Sequence, residues 1–562
     1  MRWSSLAGSI VLSLLACSID SRTTSTEVTV ADGVGAGSGG GAGAGASPAS
    51  NLPAAGSGST AAAPGATAPR DGMAEAEAPD AIPLDEAMPP ESPGGSGNGG
   101  ASGELTGCAG SDCVVFGGEC EGETCVFTCI DGGELDCTLD EVECPDDIAC
   151  RVECQADGQC TQEITCPSSE ICTVECQGGA TCTARINCAG SDACNVTCAG
   201  DDSCGINFLI DNANQDLRLE CAGDNSCSVG LIACGSGQTT CNIQCGGDNS
   251  CAAAIDLAGD NADLICDGVG SCAGLVTCDG NLDNCTAGCS GQASCAAGVT
   301  CGGNGLPELC DVDCIGDGSC AAGLTCDAET CDLNCDNNSC AGNVVCGVAG
   351  GETADCQLDC GLGSCAGTID CNTVDGDCDI DCLDFGACVG FLSCAADGGT
   401  CDIDCAADST CGNAVTCNST GNCNITCDND FVCLGSVSCR SDAGNCNVNC
   451  GSGAVAGSCP QPVTCDAEGS CTITCNADQS CVSVQCTSGA DCSLLCGGDN
   501  ACANFVTCDS GGACDIECRG IGACDRADTL TCNAVQSCAI DCGANATCLA
   551  NAICTPPGTA CP

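Results

Sequence analysis

The sequence predicts an all-β chain: a disulfide-stapled β-solenoid of about twenty two-stranded rungs, preceded by a disordered tether. Three observations predict it. The 562 residues include 77 Cys and 81 Gly but only seven Phe and no Tyr, the composition of a disulfide scaffold with little apolar bulk. From Cys108 onward the cysteines recur with a fixed phase, and the second cysteine of each unit falls about 23 residues after the last, from Cys154 to Cys542, a period that signals stacked repeats. The residues between cysteine groups are Gly/Asp/Asn/Ser clusters such as Gly246-Gly-Asp-Asn-Ser250, which is turn chemistry.

Residues 1–17 come first. Arg2 is followed by an apolar run from Leu6 to Ala16 and then by Leu14-Leu15-Ala16-Cys17. A short basic start, an apolar segment of this length and a small residue before the cut read as an export signal rather than a membrane span. The last four residues resemble the lipobox of bacterial lipoproteins. That resemblance implies cleavage before Cys17, a lipid anchor on its sulfur, and attachment to a membrane through that anchor. Ser18, in place of the Asp that often implies inner-membrane retention in that family, favours the outer membrane or cell surface.

Residues 18–107 carry no cysteine and are rich in Gly, Ala, Ser and Pro, as in Gly41-Ala-Gly-Ala-Gly45. They hold too little apolar bulk to offset their ordering entropy, which predicts a disordered linker. A flexible chain of this length has an end-to-end distance of roughly 50 Å, enough to hold a folded body off a membrane.

Residues 108–562 are the cysteine-rich repeat. Cys401-Asp-Ile-Asp-Cys405 and Cys411-Gly-Asn-Ala-Val-Thr-Cys417 show one unit. In the first segment, alternation puts Cys, Ile and Cys on one face and the two Asp on the other, a half-buried strand. The second segment predicts a second strand, with a small residue and an aliphatic facing inward, as Gly274 and Val276 or Ala322 and Leu324. One unit cannot bury its own face, whereas stacked units can. At strand spacing the stack would be a rod of roughly 90–95 Å. Its open ends need covers, for which Val114-Val115-Phe116 and Thr555-Pro556-Pro557 are the candidates.

The bridges are readable because the exceptions come in pairs. The fourth cysteine of one unit is Ile210 and the next first cysteine is Leu217; further on the same two places hold Leu257 and Ala262. Partners that vanish together are bonded to each other. Fourth therefore pairs with the next first, and second with third: Cys154–Cys160, Cys382–Cys388, Cys394–Cys401, Cys405–Cys411, Cys417–Cys423, Cys427–Cys433 and Cys439–Cys446. First and second of one strand lie about 13 Å apart, too far for a bridge. With Cys17 set aside, 76 cysteines remain, which this phase divides from Cys108–Cys113 to Cys554–Cys561. Each bridge closes a short loop and adds roughly 2 kcal/mol in the chain-entropy account, in place of the large core that the chain lacks. Metal–thiolate stores favour Cys-x-Cys and Cys-Cys clusters, which are not the spacings here.

Charge and composition exclude several classes. The net charge is −68, and the nine basic residues are all Arg. Nucleic acid is therefore not a partner, since phosphates need Lys/Arg neutralisation; a glycan or a basic protein fits better. With no His, Lys or Tyr, the usual catalytic bases and nucleophile partners are missing, and no catalytic site is expected. Outward acids align as Asp379/Asp381 and Asp402/Asp404, also as Asp311/Asp313 and Asp515/Glu517. The first two pairs lie on successive units, and an oxygen cluster of that kind suits Ca²⁺. A second acidic column runs through the turns, including Asp201, Asp224, Asp248, Asp408, Asp430, Asp478 and Asp499. The plainer reading of both columns is that Asp suits turn backbone and that charge keeps a repetitive sheet soluble.

A Thr column that includes Thr277, Thr300, Thr325 and Thr416 resembles in principle the faces of disulfide-containing β-solenoid antifreeze proteins of insects. Those carry paired Thr ladders, whereas here only Thr472/Thr474 gives the doublet. The sequence thus points to a lipid-anchored extracellular structural or adhesive rod. A Ca²⁺-dependent module that binds a glycan or cell surface is the alternative, and ice binding a remote one.

Overall fold

The computed structural model describes residues 108–555, apart from short stretches at 109–111, 131–136, 139–140, 206–209, 212–215, 236–237, 280–281, 303–306, 348–354, 452–456, 526, 528, 544–547 and 549–551. The export signal with Cys17, the 18–107 linker and Cys561 lie outside the described residues.

The chain is a β-solenoid with two stacked faces. One face is a 20-stranded sheet that includes Ala149–Cys154, Cys378–Cys382, Cys401–Cys405 and Ser537–Asp541. Its strands run parallel in register, so that Cys378, Cys401 and Cys423 form one column and Ile380, Ile403 and Ile425 the next. Burial alternates along each strand: in Cys378–Cys382 the two cysteines and Ile380 are buried and the two Asp are not. The opposite face is split among the described residues into a four-stranded sheet, from Val142–Glu143 to Ile210–Asp211, and a 15-stranded sheet, from Leu231–Ala233 to Ala552–Thr555.

The second strand is shorter than the five-residue spacing predicts. It starts at the aliphatic two residues before the cysteine, as Val276–Cys278. In the C-terminal half it runs two residues past that cysteine, as Val415–Ser419. Leu324 is buried, but Ala322 is exposed, because the chain is still turning there. Gly274 sits in the same turn, where a Cβ would overlap the backbone of Ala253. The small residues of this segment serve close passage of backbone, not core filling.

Two corrections concern cysteine phase. At the start, the bonds are Cys108–Cys120 and Cys113–Cys125, not Cys108–Cys113. Glu119–Glu121 turns back antiparallel to Thr124–Cys129, and this reversal gives the preceding segment two hairpin cysteines as partners. The hairpin extends that end of the first sheet, and of the candidate cover Val114, Val115 and Phe116 stand 67%, 80% and 41% exposed. In the four-stranded sheet, Ile210 pairs with Ile186, so it continues an aliphatic column. The place opposite Cys188 is position 212, outside the described residues. Leu217 lies between Cys194 and Cys241, and Ala262 between Cys241 and Cys285, as cysteine replacements do; Leu257 pairs with Cys278. All three are buried, so hydrocarbon fills the sulfur column there.

Elsewhere the structure bonds Cys154 to Cys160, Cys382 to Cys388, Cys394 to Cys401, Cys405 to Cys411, Cys417 to Cys423, Cys427 to Cys433 and Cys439 to Cys446, at Cα separations of 6.0–6.2 Å. Coils of this kind are closed at both corners, as at Cys394–Cys401 with Cys405–Cys411 and at Cys417–Cys423 with Cys427–Cys433.

The turn between second and third cysteines forms a hydrogen-bonded column of its own. The third cysteine's N–H donates to the coil before: Cys227 to Ser203 O at 3.1 Å, Cys251 to Ser226 O at 2.9 Å. The residue before it is a buried Ser or Thr in most coils, and Thr181, Ser271 and Ser480 donate their hydroxyl to the carbonyl three residues back at 2.7–2.8 Å. Glycines at 200, 223 and 247 stack so closely that a Cβ at one would overlap the carbonyl oxygen of the glycine before. No helix among the described residues is long and apolar enough to cross a membrane.

Candidate functional site

The acid ladder is the candidate site. Strand register puts Asp379 beside Asp402 and Asp381 beside Asp404, and Asp359 beside Asp381. Neighbouring parallel strands lie about 4.8 Å apart, so these carboxylates crowd one another on the outward face of the first sheet. Burial raises the Asp379 carboxyl, and Asp381, Asp402 and Asp359 raise it further, to about 6. Burial also pushes Asp381 up, helped by Asp359 and Asp404. The same holds for Asp404, whose charged neighbours are Asp428 and Asp379. Flanking side chains partly cover these acids, and like charges do the rest. Toward the C-terminal end the column becomes amides: Asn424 Nδ2 donates to Asp402, and Asn447 Nδ2 to Asn424 Oδ1 at 2.8 Å. Asp404 Oδ1 is buried with no hydrogen-bond partner.

Earlier in the stack, Asp311 lies beside Asp332 and Asp313 beside Asn334. Burial raises Asp311, then Asp313 and Asp332 add to it. At the far end Asp515 is raised by burial and by Glu517, an effect that Arg519 offsets in part.

The turn acids do a different job. Asp201 accepts the backbone N–H of Asp224 at 3.2 Å, Asp224 that of Asp248 at 3.1 Å, and Asp478 that of Asp499 at 2.8 Å. Asp408 accepts from Asp430 in the same way at 3.2 Å. Their carboxylates tie one coil to the next, so this column is structural. The second turn repeats the device with Asp377, which accepts both the N–H and the hydroxyl of Thr400 at 2.7 Å. These bonds hold its carboxyl below the usual range.

No family model, curated protein or solved structure matches the chain. Its chemistry therefore has to be read from its own geometry. Cysteine triplets such as Cys154, Cys176 and Cys182 bring three sulfurs within 4.8 Å, but those sulfurs are in disulfides. Three of the described arginines sit with carboxylates: Arg151 with Glu153 and Glu175 at 2.9 and 3.0 Å, Arg440 with Asp442 at 3.0 Å, and Arg519 with Glu517 at 2.6 Å. Thr277, Thr300 and Thr325 stand in register, and the column is then broken by Val345 and Asp370.

Proposed function

We propose that the chain is a rigid acidic rod of the cell exterior, held to the outer membrane or cell surface by a lipid on Cys17, with a structural or adhesive role. The observation that carries this reading is the double closure of the coils by disulfides. A stack so stapled keeps its length and resists proteases without a large core, and stable bridges belong to an oxidising environment. The chain acts by spacing and binding rather than by catalysis, in keeping with its lack of His, Lys and Tyr. Limited proteolysis with and without a thiol reductant tests the rod: resistance that does not depend on oxidation counts against it. Mass spectrometry of the mature N-terminus tests the anchor, which an unmodified Cys17 removes.

A cation-dependent module is the second reading, favoured by the unpartnered Asp404 Oδ1 beside Asp379, Asp381 and Asp402. Ca²⁺ would take carboxylate oxygens there, and through it a glycan or cell surface would be held. Calcium titration by calorimetry decides: no heat and no melting shift dispose of it. The interruption of the Thr column by Val345 and Asp370 weighs against ice binding.

A further inference from the structure

Most of the described phenylalanines, Phe116 and Phe505 included, stand exposed and so do little for folding. Phe127 is 1% exposed, but Phe385, Phe391 and Phe431 are 62%, 57% and 56% exposed. Phe385 and Phe431 fall in the turn that follows the acid-ladder strand, together with the exposed Leu362 and Leu383, whereas Val389 and Phe391 follow the third cysteine and lead into the opposite sheet at Leu392. Gly363 N–H donates to Phe385 O at 3.2 Å, which puts Leu362 and Phe385 on adjacent turns. Leu383 follows Asp381 at strand spacing and carries the outward side of the first sheet into the turn. Val389 leans over Gly412, where a Cβ would lie 3.1 Å from its Cγ1; the ring of Phe431 lies over Gly457, where a Cβ would lie 3.2 Å from Cδ1.

Phe431 adds an independent observation. Its φ is 57°, in the left-handed region, where the corresponding residues of other coils are Gly, as Gly363, Gly386 and Gly522, or small or polar, as Ala180, Asn338, Ser409, Gln479 and Asn500. A bulky side chain there is an outlier, and a ring this exposed returns little stability. Strain of this kind persists where a function needs the side chain. The electrostatic setting is one-sided. No basic residue occurs between Arg218 and Arg440, while Asp384 lies in the turn of Leu383 and Phe385, Asp428 and Asp430 in that of Phe431, and Asp408 in the turn between them.

We propose that the edge from Leu362 to Phe431 docks a cationic amphipathic polypeptide, one in which Lys or Arg alternates with apolar side chains. Its apolar groups would cover the Phe and Leu side chains while its charges meet the Asp379/Asp402 and Asp381/Asp404 pairs. Charge complementarity selects this occupant. A second copy of the chain brings the same negative charge. So does the 18–107 linker, with eleven acids against two Arg. A neutral glycan could stack on the rings but would leave the carboxylates without a counter-charge. The proposal gives the adhesive reading its partner, and rests on that reading only for the rigidity of the stack.

The test uses the full chain and two labelled peptides of equal charge, one alternating Lys and Leu and one oligolysine, followed by fluorescence anisotropy. The expected result is tighter binding of the amphipathic peptide. Phe385→Ser with Phe431→Asn weakens that binding by about tenfold or more, as for central aromatic anchors, and leaves oligolysine binding unchanged. Asp379→Asn with Asp402→Asn weakens both. Asn already occupies the Phe431 place in other coils, so the fold tolerates it, and unchanged protease resistance of the variant confirms this. Equal binding of the two peptides, or indifference to the Phe substitutions, overturns the proposal. Self-association through Phe385 and Phe431 without peptide binding, or uptake of neutral oligosaccharide alone, also overturns it. Protease sensitivity of the wild type would remove the rod reading whatever the peptides do.

Discussion

The third cysteine of the coils offers the most direct probe of how the stack is held. Seventeen of these cysteines, from Cys160 to Cys524, have φ between 45° and 56°, where an L side chain costs about 1 kcal/mol relative to glycine. Cys411 has φ 50° and bonds to Cys405 across six residues, and closing that loop is worth about 2 kcal/mol. The bridge outweighs the local strain and so holds the turn in a conformation that it would otherwise leave. Cys405→Ala with Cys411→Ala loses the bridge and keeps the strain, for a local loss of about 2 kcal/mol before any void left by the two buried sulfurs. Cys405→Ala with Cys411→Gly loses the same bridge but recovers about 1 kcal/mol. Hydrogen exchange at the residue-411 amide, which donates to Ala387 O at 3.3 Å, reads the difference. Protection should fall in the order wild type, Gly variant, Ala variant, with about fivefold between the last two. An Ala variant as protected as the Gly variant would refute the account of strain, and undiminished protection in both would refute the account of the bridge.

Three further outcomes follow from the same geometry. Because Asp379 is raised to about 6, the folded stack holds a proton that the unfolded chain releases near pH 4, so its contribution to stability is full below that pH and is lost as pH rises through about 6. Melting temperature should climb as pH falls from 7 toward 4, and Asp379→Asn should raise it at pH 7 and flatten the profile; an opposite slope in the wild type that this substitution leaves unchanged counts against the ladder. Gly247→Val should cost about 1–3 kcal/mol through overlap with Gly223 O, seen as lost exchange protection in that turn, whereas Gly247→Ala should be milder because Ala407 and Ala477 hold the corresponding place in other coils. Added NaCl should raise melting by screening a net charge of −68, and a stack that melts lower in salt would show that its carboxylates are already compensated.

What could be read from the sequence was whatever has a period. The strand Cys401–Cys405 is legible because alternation separates Cys and Ile from Asp. Register of the Asp379/Asp381 and Asp402/Asp404 pairs follows from the repeat. Ile210 was misplaced by two residues because an aliphatic at the end of an irregular link looks like a substituted cysteine; only pairing with Ile186 shows the column it belongs to. The Cys108–Cys120 and Cys113–Cys125 bonds were not legible, since they depend on a chain reversal outside the repeat. The left-handed cysteines left no mark either: φ depends on the path that stacking imposes, not on residue type. The docking edge was missed for a related reason. Leu383, Phe385 and Phe431 sit at turn places that vary from coil to coil, and periodic reading discards what varies.

That division bears on where function resides. In a coil of this kind the inward places are committed to two disulfide corners, one aliphatic per strand and a buried Ser or Thr, and outside them turn acids such as Asp224 and Asp478 bind the next coil's backbone. These bonds hold whatever stands outside, so outward residues can change with little cost to the stack. A departure that is both outward and unfavourable is then hard to explain by folding. Phe431 at positive φ is such a departure, and so is a carboxylate ladder in which burial, and then the neighbouring acids, raise the proton affinity of Asp379. Both fall between Asp359 and Phe431, in one region of a long and otherwise tolerant wall. Folding alone does not call for a ring at that place, which Ala180, Asn338, Ser409 and Gln479 fill in other coils, nor for undiluted charge beside the amides of Asn424 and Asn447. Their coincidence is the physical reason to look for the partner on this stretch of the rod.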